Sequence, residues 1–270
     1  MMTFKKLGRH GRIGNQMFEI AGVIGIATHH GYDFGFPYWQ NYLQREKFGG
    51  GEDIDIQAWF KHPLPKIDES IAYADIEVKW GFHKIFAQDN TNICGYLQSE
   101  KYFLHCEDLI RHYFSFRNET PVQKNTLAVH FRGGDFEGDY QPPCSGDYYN
   151  AAIEKMPEGL RILLFTDDPI QAARVMPFDY ELVQGNHSMR DMEMMSKCDH
   201  HIIANSTFSW WGAWLANSKI VVAPRRWFGP RKRGLETKDI YAENWVVTDN
   251  FDHHSRRSGW STPVVSCNTD

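Results

Sequence analysis

An α/β protein built on parallel strands is the fold class this sequence predicts, and three observations predict it. Short apolar runs recur in the second half at Leu127-Ala128-Val129-His130-Phe131, Arg161-Ile162-Leu163-Leu164-Phe165, His201-Ile202-Ile203-Ala204 and Ile220-Val221-Val222-Ala223. Helix-length segments separate them, which is the spacing of βαβ units. The clear strands also run straight into polar clusters, as expected where strand ends border a ligand crevice.

In chain order, residues 4–7 read as a first strand and residues 15–29 as a helix. Apolar side chains nearly surround that helix, so it should be buried. Residues 33–70 are dense in Gly, Pro, Trp and Tyr and read as loops with short elements, a surface suited to a bulky polar ligand. Residues 115–126 are polar with one proline and read as an inter-domain linker. Beyond them, residues 148–156, 169–176 and 189–198 carry apolar residues at helical spacing. Ser188-Met189-Arg190-Asp191 has the pattern of a capping box.

Composition narrows the function classes. Hydrophobic residues make up 42% of the 270, with 18 Phe, 12 Tyr and 9 Trp, which supplies a sizeable core and excludes disorder over most of the length. Against 29 Lys and Arg stand 34 Asp and Glu, a net charge of −5. Nucleic-acid binding by counterion release calls for the opposite balance, so no nucleic-acid partner is expected. Five cysteines with no CxxC pair fit reduced thiols. No signal-peptide apolar region and no run of about 18 apolar residues is found. A cytoplasmic protein without a transmembrane segment is the expectation.

The chemistry collects at strand ends. In His130-Phe131-Arg132-Gly133-Gly134-Asp135, strand alternation puts His130 and Arg132 on one face, and the guanidinium fork of Arg132 matches phosphate oxygens. The alternative is a structural pair between Arg132 and Asp135. In Thr166-Asp167-Asp168-Pro169, one acid can cap the helix that Pro169 begins, leaving the other for a base, a ribose or a metal. In Asn205-Ser206-Thr207-Phe208-Ser209-Trp210-Trp211, a strand breaks into small hydroxyl residues and then a helix, aiming backbone N–H groups at the crevice as an anion site. Trp211 and Trp214 read as core. Gly11-Arg12-Ile13-Gly14-Asn15-Gln16-Met17 lies between a strand and a helix, and Gly14, Asn15 and Gln16 form a loop able to approach a phosphate or a sugar.

Gly11 to Met17, Gly95 to Phe103, His130 to Asp135, Asp191 to Trp214 and Ala223-Pro224-Arg225-Arg226-Trp227-Phe228 resemble, in order, the successive motifs of the α-1,2-fucosyltransferase family. The resemblance implies a GT-B-like enzyme, with two Rossmann-like domains facing a cleft and an irregular N-terminal one. It would transfer fucose from GDP-fucose to an oligosaccharide acceptor with inversion and without a metal or other cofactor, typically at O2 of galactose. Residues 1–120 would be the acceptor-side domain, residues 121–249 the GDP-sugar-binding domain and residues 250–270 a loose tail. By the same resemblance Arg132 would hold the β-phosphate, His130 the nucleoside side and Asp167 or Asp168 the guanine. Ser206, Thr207 and Phe208, next to Asn205, would line the diphosphate and base, and Asn15 would face the reacting centre from the other domain. The chain departs from the family's His-x-Arg-Arg-x-Asp pattern by carrying Gly133 at the second Arg position.

Two other readings compete. Asp53-Ile54-Asp55 matches the DxD of metal-dependent GT-A transferases but follows Gly49-Gly50-Gly51-Glu52 instead of an apolar strand. A GDP-sugar or glycan-binding protein without turnover would keep the same anion site. For a catalytic base, Asp135, Glu137 and Asp139 are the candidates by position, with Asp135 placed first.

Overall fold

The computed structural model of the protein describes residues 1–40, 55–118, 120–134, 139–232 and 234–250. The chain opens on β1 (Met2–Thr3), turns, and enters α1 (Ile13–His30). Almost every side chain of α1 up to Ala27 is buried, because this helix is wrapped by protein on all sides instead of presenting one apolar stripe. It ends at Gly31, whose φ of 71° is the left-handed geometry of a helix C-cap. β2 (Ala74–Glu77) and β3 (Thr91–Cys94) complete a parallel sheet in the order β1-β3-β2. Parallel bridges from Met2 to Phe34 and from Phe36 to Lys66 carry the array beyond β1. α2 (Glu107–Tyr113) follows.

The strand expected at residues 4–7 is instead a turn, closed by the Leu7 N–H donating to the Phe4 carbonyl at 3.2 Å. Phe4 and Leu7 are buried, so their apolar character marks a core-filling turn while the strand lies just upstream.

The second half is regular. It runs β4 (Gln123–Phe131), α3 (Gly146–Ile153), β5 (Arg161–Thr166), α4 (Pro169–Val175), β6 (Glu181–Val183), α5 (Ser188–Met195), β7 (Cys198–Ile202), α6 (Thr207–Ala216), β8 (Ile220–Pro224) and β9 (Val246–Thr248). All six strands are parallel, in the order β6-β5-β4-β7-β8-β9. With β4 counted as the first strand, this is the 3-2-1-4-5-6 order of dinucleotide-binding sheets. Its topological switch point, between β4 and β7, is where ligands bind in such sheets. The capping expected of Ser188 falls one residue earlier, where the His187 ring accepts from the Met189 N–H. Of the expected linker, Ser115 and Arg117 stay hydrogen-bonded to Lys61 and Trp59 of the first half, while Gln123 already belongs to β4.

One core joins the halves. α6 lays Trp210 and Trp211, both fully buried, against Phe18 of α1 at ring distances of 4.5 and 5.0 Å. A separate cluster of Leu127, Val129, Phe131, Tyr148, Tyr149 and Leu164 packs one face of the larger sheet. The crevice at the switch point is therefore set between two elements, α1 and α6, that the shared core holds in fixed register.

Candidate active site

Register brings the polar clusters together. Phe131 of β4 pairs with Thr166 of β5, so the residues that follow, Arg132 and Asp167, emerge side by side. Arg132 Nη1 lies 2.6 Å from Asp167 Oδ2, and Asp167 Oδ1 accepts from the Gly133 N–H at 3.0 Å. Asp167 is thus a partner of Arg132. Asp135 and Glu137 fall outside the described residues. Asp168 is the helix cap, its Oδ1 accepting from the Gln171 N–H at 2.9 Å with Pro169 in the first helical position.

At Gly133 a Cβ would collide with Gln171 Oε1 and stand 2.9 Å from Asp168 Cβ. Glycine here lets the strand end lie directly on the start of α4, in the space a longer side chain would need.

His130 is buried, its ring 5.7 Å from that of Phe208. Its Nδ1 has no hydrogen-bond partner among the described residues. Burial lowers its pKa to about 4, against the opposing pull of the Asp167 charge, so the ring is neutral near pH 7.

The third cluster meets the first half of the chain. Ser206 is the N-cap of α6 in extended geometry, and its side chain makes no capping hydrogen bond. Thr207 Oγ1 donates to Asn15 Oδ1 at 2.8 Å, and Gln98 Nε2 donates to the same oxygen at 2.8 Å. A Cβ on Gly14 would fall 2.5 Å from the Thr207 carbonyl carbon and 2.6 Å from the Phe208 nitrogen, so only glycine allows the first turns of α1 and α6 to touch. Trp211 Nε1 seals the contact by donating to the Gly14 carbonyl at 2.9 Å. Two helix N-termini, with their unpaired amides and positive dipole ends, thereby converge on one place.

Two expected site residues point elsewhere. Gln16 is buried, accepting from Trp39 Nε1 at 2.7 Å and donating to the Gly11 carbonyl at 3.0 Å, which holds the loop in place. Asn205 is buried too, with Nδ2 donating to the carbonyls of Pro142 and Trp227 at 3.1 and 3.2 Å. Both amides are spent because a buried side-chain amide must find partners, and backbone carbonyls lay nearest.

Sequence reasoning passed over a neighbouring feature. At the C-terminal ends of β2 and β3 lies a cavity of about 300 Å³, lined in part by His10, Trp80, Tyr96 and Gln98. Trp80 reaches the second half, its ring 4.9 Å from Phe228 and its Nε1 donating to the Glu236 carbonyl at 2.6 Å. Gln98 connects the cavity wall to Asn15 and so to Thr207. Of the DxD motif, Asp53 lies outside the described residues, while Asp55 accepts from the Tyr38 hydroxyl at 2.6 Å. Among the described residues no group of three or more His, Cys, Asp or Glu side chains is placed to hold a metal ion, and no helix is long and apolar enough to cross a membrane.

Comparison with known proteins matches residues 58–249 to the family described as Glycosyl transferase family 11. An alpha-1,2-colitosyltransferase of Escherichia coli is 32% identical over 177 residues, covering 56% of this chain and 60% of that protein. The O-antigen biosynthesis glycosyltransferase WbnK of Escherichia coli is 38% identical over 132 residues, covering 43% and 44%. The chain thus spans 60% or less of these relatives' lengths. Among solved structures, POFUT1 in complex with GDP superposes with a TM-score of 0.52 at 10% identity over 80% of this chain and 94% of that one. That likeness is one of fold: an α/β protein with parallel sheets in a GT-B-like arrangement.

Proposed function

Because the chain belongs to glycosyl transferase family 11, we infer that it moves fucose from GDP-fucose to a glycan hydroxyl with inversion, O2 of a galactose residue being the favoured acceptor. The observation that carries this reading is that β4 delivers Arg132 to the switch point of a 3-2-1-4-5-6 sheet, where the neighbouring His130 ring lies 5.7 Å from that of Phe208 in the first turn of α6. Such an end of such a sheet suits a nucleotide diphosphate, and the α6 amides suit its charge.

Residues 121–249 would bind the donor and residues 1–120 the acceptor. In the free protein Asp167 holds Arg132 in place. With donor bound, Arg132 would turn its fork to the β-phosphate, and the negative charge growing on the departing GDP would be met by the guanidinium and the helix N-terminus. His130, neutral and with an unpaired Nδ1, would gain its missing partner from the nucleoside. Asn15, anchored by Thr207 and Gln98, would face the reacting sugar from the opposite side. Charge stabilisation by these groups needs no divalent cation.

The same linkage with colitose in place of fucose is the second reading, favoured by the 32% identity to the alpha-1,2-colitosyltransferase. The deciding experiment incubates the protein with each GDP-sugar and galactose-terminated oligosaccharides in excess EDTA, reading GDP release and product mass. Fucosylated product is expected. Product only with the colitose donor selects the second reading, and GDP binding without product from either selects a binding protein.

A further inference from the structure

His10, half-buried, and Glu19, fully buried, form a pair at the wall of the cavity beside Asn15, and nothing derived so far uses them. His10 Nδ1 lies 2.6 Å from Glu19 Oε1. Glu19 is fully buried in α1, and its second oxygen, Oε2, has no hydrogen-bond partner among the described residues. The His10 ring is stacked on Tyr96 at 4.3 Å, which fixes its plane. The ring also lines the cavity that Gln98 ties to Asn15 and Thr207.

We propose that this cavity receives the acceptor hydroxyl, and that His10 is the catalytic base for it with Glu19 as its positioning residue. The proposal rests on the transfer reading above. With Nδ1 committed to Glu19, Nε2 is the ring nitrogen left to serve the cavity. In the reacting complex the acceptor O–H bond breaks and its proton passes to Nε2. The oxygen bonds to C1 of the donor sugar from the face opposite the diphosphate. The bond from C1 to the β-phosphate oxygen breaks, and its electron pair leaves with GDP.

The electrostatics of the pair suit that task. Burial pushes the Glu19 carboxyl well above its ordinary range, and burial with the nearby Lys6 charge lowers His10. A deprotonated pair is one net negative charge centred on the buried Glu19 carboxylate, which raises its appetite for a proton. Taking the acceptor proton makes the pair neutral. Among the described residues, the charged and titratable groups around His10 are Lys6 on the same loop, Glu19 from α1, Glu77 and Lys79 at the end of β2, and Cys94 with Tyr96 from the end of β3.

The test compares the parent with His10→Gln and Glu19→Gln, reading kcat for transfer between about pH 5 and about pH 9 together with GDP affinity by calorimetry. The parent is expected to gain activity with pH through one ionisation. His10→Gln should lose at least about 100-fold in kcat and the pH limb with it, while GDP affinity stays near the parent's, because the base acts on the acceptor and not on the donor. Glu19→Gln should lose less and displace the limb, which a merely structural role would not do. Histidine ¹⁵N NMR of the parent reads the pair without turnover, with the His10 Nε2 signal expected to titrate over the same range and to shift that titration in Glu19→Gln. A folded His10→Gln enzyme with near-parent kcat and an unmoved limb overturns the proposal. So does an Nε2 signal that does not titrate, whether or not any transfer is seen. Absent transfer with a titrating pair instead removes the transfer reading and with it the catalytic role.

Discussion

The two walls of the crevice touch where Gly14 lies against Thr207, yet they are built from different materials. The wall formed by the ends of β4, β5 and β7 is charged and ion-paired, with Arg132 held by Asp167 and the His130 ring against Phe208 of α6. The wall formed by the ends of β2 and β3 sets Tyr96 and Trp80 among Lys6, Glu77 and Lys79 without the Arg132–Asp167 clamp of the other wall, and the buried acid behind it, Glu19, is paired with a histidine. A group transfer between a diphosphate donor and a sugar hydroxyl asks for this asymmetry. One side must meet a growing anion, and the other must pack a sugar face and accept a proton.

The largest effect that can sharpen this contrast comes from the core that aligns the walls. Trp214 stacks its ring under the Arg111 guanidinium at 4.2 Å and donates from Nε1 to Glu100 at 3.2 Å. Trp214→Ala should destabilise by about 3–5 kcal/mol, measured by denaturant unfolding. A loss well under that would mean the walls are aligned by something else.

Next comes the charged wall itself. Arg132→Ala should lower turnover at least about 100-fold, or about 2.7 kcal/mol, and Arg132→Lys should recover little, since lysine keeps the charge without the fork. Steady-state rates with GDP-fucose check it, and near-parent turnover in the alanine variant would show that this wall does not stabilise the leaving group.

The meeting point ranks third. Gly14→Ala places a Cβ against backbone that cannot swing aside, so a loss of about 1–3 kcal/mol is expected, with turnover falling alongside because Thr207 and Asn15 are pushed apart. Thermal unfolding and rates on the same sample test whether the two losses travel together.

The smallest effect concerns the second wall and pH. Burial raises the pKa of Glu19, so the folded state holds that proton more tightly than the unfolded chain. The resulting stability is full below the ordinary carboxylate range and drains away as pH rises towards the raised value. Glu19→Gln should flatten that decline, measured as Tm against pH, and an unchanged slope would place the charge elsewhere.

The charged wall was also the more legible in sequence. The second half of β4, the middle of β5 and β8 are apolar runs because both faces of a parallel sheet are covered, whereas β7, Cys198–Ile202, shows only its apolar end in the run His201 to Ala204. β2 was not legible, since its residues Ala74–Glu77 are mostly exposed at a sheet edge and carry no apolar run. Phe4 and Leu7 misplaced β1 because a buried turn looks apolar too. The loop at Gly14 and Asn15 was legible as a close approach, but Gln16 was not separable from it, because only the structure shows Trp39 consuming its amide. The pair of His10 and Glu19 had no signature at all. Nine residues apart, one in a turn and one inside a helix, they meet only when α1 folds back along the loop before it.

The claim that decides the rest is that the charged wall holds a nucleoside diphosphate, and calorimetric titration of GDP into the parent and Arg132→Ala tests it most directly. Saturable binding of one GDP per chain is expected, weakened at least about tenfold in the variant by loss of a charge-assisted bidentate contact. No binding to the parent, or equal affinity in both, would contradict it.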